Sequence, residues 1–156
     1  SPDILARAEE IARQVVGSLQ IVGLLAVEMF VTKDGDVLVN EVAPRPHNSG
    51  HQTIEANYTS QYEQHLRAIL GLPLGSTALK SPSAMVNLLG EEGYSGPAVY
   101  EGLDQLLHIE GVSLVLYGKK LTRAKRKMGH ITILDADMQK LQAKVQQVKN
   151  TVKVVA

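Results

Sequence analysis

The chain has 156 residues, enough for one domain or two small ones. Lys plus Arg and Asp plus Glu number 16 each, so the net charge is zero and composition points to neither nucleic acid nor a membrane surface as a bulk partner. The absence of cysteine excludes a disulfide framework and a thiolate metal site and fits a cytoplasmic protein. No apolar run approaches the roughly 20 residues of a membrane span, and no signal-peptide pattern opens the chain.

Ser1-Pro2-Asp3 reads as a helix start with Asp3 as N-cap. Ile4, Leu5, Ala8, Ile11, Ala12, Val15, Val16 and Leu19 follow at helical spacing, which predicts an amphipathic helix of about 16 residues that packs on one face. Val22 to Thr32 is an apolar, β-rich run interrupted by Glu28. Lys33-Asp34-Gly35-Asp36 is turn chemistry, and Val37-Leu38-Val39 resumes the apolar run before Asn40-Glu41. A hairpin centred on Asp34-Gly35 can set Glu28 and Glu41 opposite each other, about 5 Å apart. Two carboxylates that close repel unless a divalent cation lies between them. The alternative is that one of them faces solvent on an edge.

Ala43 to His51 is a polar loop that crowds Arg45, His47, Asn48, Ser49 and His51 together, stiffened by Pro44 and Pro46. An Arg fork suits carboxylate, phosphate or bicarbonate, and a histidine can move a proton near neutral pH. A plain polar surface turn is the competing reading. Thr53 to Asn57 is a short bridge. Ser60-Gln61-Tyr62-Glu63 is a capping-box pattern, predicting a helix to about Leu70 that ends at Gly71. A domain boundary is expected near residues 75 to 80.

Ser83 to Leu89 reads as a buried strand and Gly90 to Pro97 as a glycine-rich loop without the Gly-Lys-Ser/Thr ending of a P-loop. Tyr100 to His108 reads as a short helix, Val112 to Tyr117 and Ile131 to Leu134 as strands, Ala136 to Asn150 as a long helix, and Val152 to Val155 as a last strand. Lys119, Lys120, Arg123, Lys125, Arg126 and Lys127 crowd a span with no acid in it. The span is either a solvated hairpin tip or an anion site, and the density of cations favours the anion site. His130, after Gly129, reads as structural.

Two blocks, EMFVTKDGDVLVNEVAPRPHNSGH with SQYEQHLRAILGLPLG, and then YGKKLTRAKRKMGHITIL, resemble the ATP-grasp enzymes of purine biosynthesis that carboxylate aminoimidazole ribonucleotide. The resemblance covers nearly all of the chain from about residue 22. It implies an α+β fold: residues 1–77 as the C-terminal part of an ATP-grasp domain, antiparallel strands with helices, and residues 78–156 as a small, mainly-β domain with a helix. The lobe that supplies the adenine hinge would precede Ser1, so the chain is expected to be a C-terminal portion of a longer enzyme. The implied reaction joins bicarbonate to 5-aminoimidazole ribonucleotide at the expense of ATP, with carboxyphosphate as intermediate and ADP and phosphate as products.

By the same resemblance, Glu28 and Glu41 would hold Mg²⁺, Phe30 would lie against the nucleotide and Asn40 beside the metal. Arg45 would neutralise bicarbonate, Asn48 would orient it, and His47 is the candidate acid–base. Lys119 and Arg126 match phosphate-binding cations; Ala124 departs from the pattern, where a proline is common. The partners implied are small molecules, with no nucleic acid and no membrane, in a homodimeric whole enzyme. Other readings remain: another carboxylating or formate-using ATP-grasp ligase, a non-catalytic binding module, or a metallohydrolase built on His47 and His51. Pro46 and Gly50 argue against the helix that the last would need.

Overall fold

The computed structural model describes all 156 residues. Helix α1 spans Pro2–Leu19, and its N-cap is Ser1, whose hydroxyl accepts from the Ile4 N–H. This corrects the expected cap by two residues. Pro2 sits at the first helical position, where its missing N–H costs nothing, and Asp3 falls in the first turn, where a negative charge meets the helix dipole.

Strands β1 (Ala26–Val31) and β2 (Val37–Ala43) form an antiparallel hairpin. Its turn needs a positive φ at Gly35, which is +91° there. Thr32 N–H donates to Asp36 O at 2.9 Å, and the Asp36 N–H donates to the Thr32 hydroxyl at 3.0 Å. The strand starts later than its apolar sequence suggests, because Val22 to Leu25 lead into it without ladder bonds. Apolar residues of α1 border two grooves, one with Val27 and one with Val39 and Val42, so the helix lies over that face of the hairpin. After a 3₁₀ turn at Asn48–Gly50, helix α3 (Gln61–Ile69) starts at Ser60, whose hydroxyl accepts from Glu63 N–H at 3.2 Å. It gives out at Leu70, before Gly71 with φ +67°. The Ser60 cap and the glycine stop were legible in the sequence, whereas the Glu63 carboxylate pairs with Arg67 in place of closing the capping box.

Contacts divide the chain into two compact units, Ser1–His51 with Thr59–Thr77, and Gln52–Tyr58 with Ala78–Ala156. The short segment departs from a single cut near residue 77. Residues 53–56 form a helical turn, α2 (Thr53–Ala56), where a plain bridge was expected. The backbone then pairs with the second unit: Tyr58 N–H donates to Ala78 O at 3.1 Å and Lys80 N–H to Ala56 O at 2.6 Å.

The second unit is built on an antiparallel sheet in the order β3 (Ser83–Leu89), β8 (Lys127–Leu134), β6 (Val112–Leu116). Two short pairs accompany it: β4 (Ser95–Pro97) with β7 (Leu121–Arg123), and β5 (Val99–Glu101) with β9 (Lys153–Val155). Tyr100 to His108 is therefore not one helix. Gly102, at φ +79°, ends β5 and starts a shorter helix, α4 (Leu103–Leu107). The glycine-rich loop likewise yields to β4 at Ser95. Helix α5 (Met138–Thr151) is capped by Asp137, which accepts from the N–H groups of Gln139 and Lys140. Leu88, Leu106, Met128, Ile131, Ile133, Leu141, Val148 and Val154 are buried together between the sheet and these helices.

His130 lies on the central strand, 1% exposed, with its Nδ1 3.1 Å from the Tyr117 hydroxyl. Burial lowers its pKa below the ordinary 6.5. The unfolded chain then takes up a proton more readily than the folded one, so stability is fully present above 6.5 and falls as pH drops through that value. Urea midpoints taken from pH 7.5 down to pH 5 should decline, and His130→Gln should flatten that slope.

Candidate functional site

Glu28 on β1 and Glu41 on β2 are direct cross-strand partners. The register shifts immediately beyond them: Met29 faces Val39, so Asn40 is an extra residue in β2, a β-bulge. The bulge decides which face the acid takes. Side chains alternate along a strand, so if residues 38–41 ran as a regular ladder with no bulge, Glu41 would point opposite to Leu38. With it, Glu28, Glu41, Phe30 and Leu38 share one face, while Val39 and Val42 both turn toward α1. The acid face is open rather than buried, with Phe30 60% and Leu38 53% exposed. Apolar runs such as these read as buried strands, and the open face corrects that reading. Their direct opposition, not their burial, gives the pair its character.

The loop brings a third group to this pair. One ligand atom from each of Glu28, Glu41 and His47 lies within 4.8 Å of the others. His47 Nε2 is 3.4 Å from Glu28 Oε1, and its Nδ1 is 2.9 Å from the Ser49 hydroxyl. Ligands on opposite sides of a Mg²⁺ ion with bonds of about 2.1 Å stand roughly 4.2 Å apart, so modest side-chain rotation would let both carboxylates take one cation. Two hard oxygen donors and a nearby imidazole fit a divalent cation, and His47 is placed where it can also hold a proton close to Glu28.

The backbone of His47 is gripped by Gln61, the first residue of α3, which is 7% exposed. Gln61 Oε1 accepts the His47 N–H at 2.9 Å, and Gln61 Nε2 donates to His47 O at 2.8 Å. The same amide nitrogen is 2.9 Å from His51 Nδ1, and the Tyr62 hydroxyl is 3.2 Å from that atom, with the two rings stacked. A Cβ on Gly50 would stand 2.5 Å from Gln61 Oε1, so only glycine fits against the amide. In the sequence Gln61 was visible only as part of a capping box. The signal that could have found it is a polar residue in the first helical turn directly after a loop rich in functional groups.

The other expected site residues stand as follows. Phe30 and Asn40 flank the acid pair along the hairpin. Asn48 opens the 3₁₀ turn and is half-buried. Arg45 is exposed and folded back on its own loop, donating to Pro46 O at 3.1 Å. His51 is held by Gln61 and Tyr62 and is not one of the Glu28, Glu41 and His47 group. In the second unit, Lys119 donates to Lys127 O at 2.6 Å with its ammonium 5.5 Å from the Tyr117 ring centre. Arg126 donates to Leu121 O at 3.1 Å. Both are half-buried, whereas Lys120, Lys125 and Lys127 are exposed. The carbonyl bonds use one donor of each and brace the β7–β8 connection, in which Lys125 adopts φ +61°.

Residues 1–62 match the ATP-grasp domain, and residues 83–144 match the phosphoribosylaminoimidazole carboxylase C-terminal domain. The chain is 50% identical over 131 residues to N5-carboxyaminoimidazole ribonucleotide synthase of Bacillus subtilis, a match covering 84% of this chain and 33% of that protein. Among solved structures, N5-carboxyaminoimidazole ribonucleotide synthetase from Thermotoga maritima superposes with a TM-score of 0.92 at 56% identity, over 100% of this chain and 44% of that one. The Aspergillus clavatus synthase, solved with ADP and 5-aminoimidazole ribonucleotide, gives 0.83 at 35% identity over 96% of this chain and 40% of its own. The chain thus spans about a third of the Bacillus protein and less than half of these solved chains. With both domain models matched in order and the fold superposing throughout, the chain belongs to the N5-carboxyaminoimidazole ribonucleotide synthase family of ATP-grasp proteins.

Proposed function

We propose that this chain supplies the metal–nucleotide and bicarbonate-handling part of an ATP-dependent ligase that carboxylates 5-aminoimidazole ribonucleotide. The observation that carries the reading is the Glu28–Glu41 opposition at the Asn40 bulge, with His47 brought to it by the loop. Glu28 and Glu41 would hold Mg²⁺, which when bound offsets charge on the phosphates of ATP. Phe30, an exposed ring on the acid face, would offer the nucleotide a surface, and Asn40 a polar group beside the phosphates. Bicarbonate attacks the γ-phosphorus and ADP leaves; the substrate amine then takes the carboxyl group from carboxyphosphate, and phosphate leaves. Arg45 would turn from Pro46 O toward the bicarbonate anion, Asn48 would orient it, and His47 would accept the proton that the amine gives up. A cytoplasmic setting and a homodimeric whole enzyme belong to the same proposal and come from the family resemblance.

The test joins this chain to the preceding region of the Thermotoga maritima relative. Phosphate release should require ATP, bicarbonate and aminoimidazole ribonucleotide together. Release that ignores the ribonucleotide would favour an ATP-grasp ligase for another substrate. The 156 residues alone should bind ATP weakly and release no phosphate, and micromolar affinity with bicarbonate-dependent turnover would show that they suffice.

Lys119 and Arg126 would grip a phosphate of substrate or nucleotide with the donors left free by their carbonyl bonds. A charge-assisted bond contributes roughly 1.5–3 kcal/mol, so Arg126→Ala in the joined enzyme should raise the KM of that ligand roughly tenfold to a hundredfold. Lys120→Ala, on an exposed side chain, should change it little. Equal losses would mean diffuse positive charge and no specific site.

A further inference from the structure

Nothing in the reaction proposed above uses Gln61, yet it is among the few polar side chains more than nine-tenths buried. Its carboxamide closes a two-bond ring with one residue, accepting the His47 N–H and donating to the His47 carbonyl. That is the pairing one strand offers another, supplied by a side chain anchored at the start of a helix. The third contact sets the same amide nitrogen 2.9 Å from His51 Nδ1. On the other side the amide packs so close to Gly50 that a Cβ there would stand 2.5 Å from Gln61 Oε1. The loop is therefore fixed at residues 47, 50 and 51 by one side chain. Prolines 44 and 46 stiffen its entry.

A second contact extends the same logic along α3. One turn after Gln61, His65 Nδ1 accepts the Leu24 N–H at 2.9 Å, just ahead of the strand that carries Glu28. The helix thus touches the loop bearing His47 and the approach to the strand bearing Glu28. The relative placement of imidazole and carboxylate is set through α3, since their own contact is a 3.4 Å approach at a partly exposed carboxylate.

We propose that Gln61 is a positioning residue that holds His47 against the acid pair. The inference rests on the loop being a working part of the site. Its test reads the imidazole and not turnover, so the two can fail separately.

Gln64 provides an internal control. It lies on the same helix in the same unit and makes the same kind of two-bond grip, on Gly75, with contacts of 2.7 and 2.9 Å. Gln61→Leu and Gln64→Leu remove matched staples from different loops. In the 156-residue chain, hydrogen exchange at the His47 amide should quicken about tenfold or more in Gln61→Leu and stay unchanged in Gln64→Leu. The Gly75 amide should show the reverse. The decisive reading is the His47 imidazole ¹⁵N spectrum. In the native chain and in Gln64→Leu, adding Glu28→Gln should shift the Nε2 resonance, because the two groups touch. In Gln61→Leu that response should vanish. Should Gln61→Leu fail to fold, Gln61→Glu keeps the acceptor and the shape but loses the donor, and should weaken the response. A His47 spectrum that still answers to Glu28→Gln in the Gln61 variants overturns the proposal. So does an equal loss in Gln64→Leu, which would mean general loosening of the unit.

Discussion

Glu41→Gln should lower the turnover of the enzyme joined to the Thermotoga region by at least about a hundredfold, while the isolated chain keeps or slightly gains stability. The two halves of this expectation have different causes. Glu41 is exposed and stands directly opposite Glu28, so without a cation the pair is repulsive. Like charges at directly opposed strand positions are destabilising, and a neutral amide of the same shape relieves that. With cation and nucleotide present the balance reverses, because an anionic oxygen that would neutralise charge on the transferring phosphoryl group is gone. Removing one such electrostatic contact commonly costs 10²–10³ in rate, or roughly 3–4 kcal/mol. Thermal melting of the chain and steady-state phosphate release by the joined enzyme measure the halves separately. Turnover near the parent value would remove Glu41 from the metal site, and a large loss of stability would show that the carboxylate is a structural partner.

Ile131→Ala should cost about 3–4 kcal/mol, at the upper part of the usual range for removing three buried carbons from a core. Ile131 is 0% exposed on β8, the central strand, and its backbone is paired on both sides, with Val86 and with Leu114. A strand held from two sides cannot collapse into the gap, so the cavity term is kept. Domains of this size are stable by only about 5–15 kcal/mol, so the second unit should lose a large share of its margin. Urea unfolding followed by hydrogen exchange at the β3, β8 and β6 amides would show it. A loss below about 1 kcal/mol would mean that neighbouring side chains refill the space.

The regular elements were legible where period and punctuation agreed. The span of β3, the Ser60 cap with its Gly71 stop, and the hairpin turn at Gly35 all announced themselves through local chemistry. Tyr100 to His108 misled because its apolar spacing suits a helix, and a glycine with positive φ cut it into strand and helix. The acid pair could be placed by counting residues from the turn. Its exposure could not, because the face that a strand presents depends on what packs against the other side. Gln61 was hidden for a related reason: its partners are backbone atoms 14 residues away in sequence, and backbone carries no signature in the letters. The basic segment showed its charge but not its geometry, in which Lys119 and Arg126 are tied to carbonyls and Lys125 pairs with Glu92.

The bulge at Asn40 ties the acid pair to the irregularity itself and not to the identity of the extra residue. Removing Asn40 would leave Val39 and Glu41 adjacent, restore plain alternation and still set Glu41 opposite Glu28 on the open face. Ironing the bulge out with every residue kept would instead set Asn40 opposite Glu28 and turn Glu41 toward the helix. An added residue before Glu41, with the ladder otherwise regular, would carry the acid further along the strand and away from Glu28. This hairpin therefore tolerates a shorter second strand better than a longer one, and an insertion between the turn and Glu41 would undo the site while leaving every functional residue in the sequence.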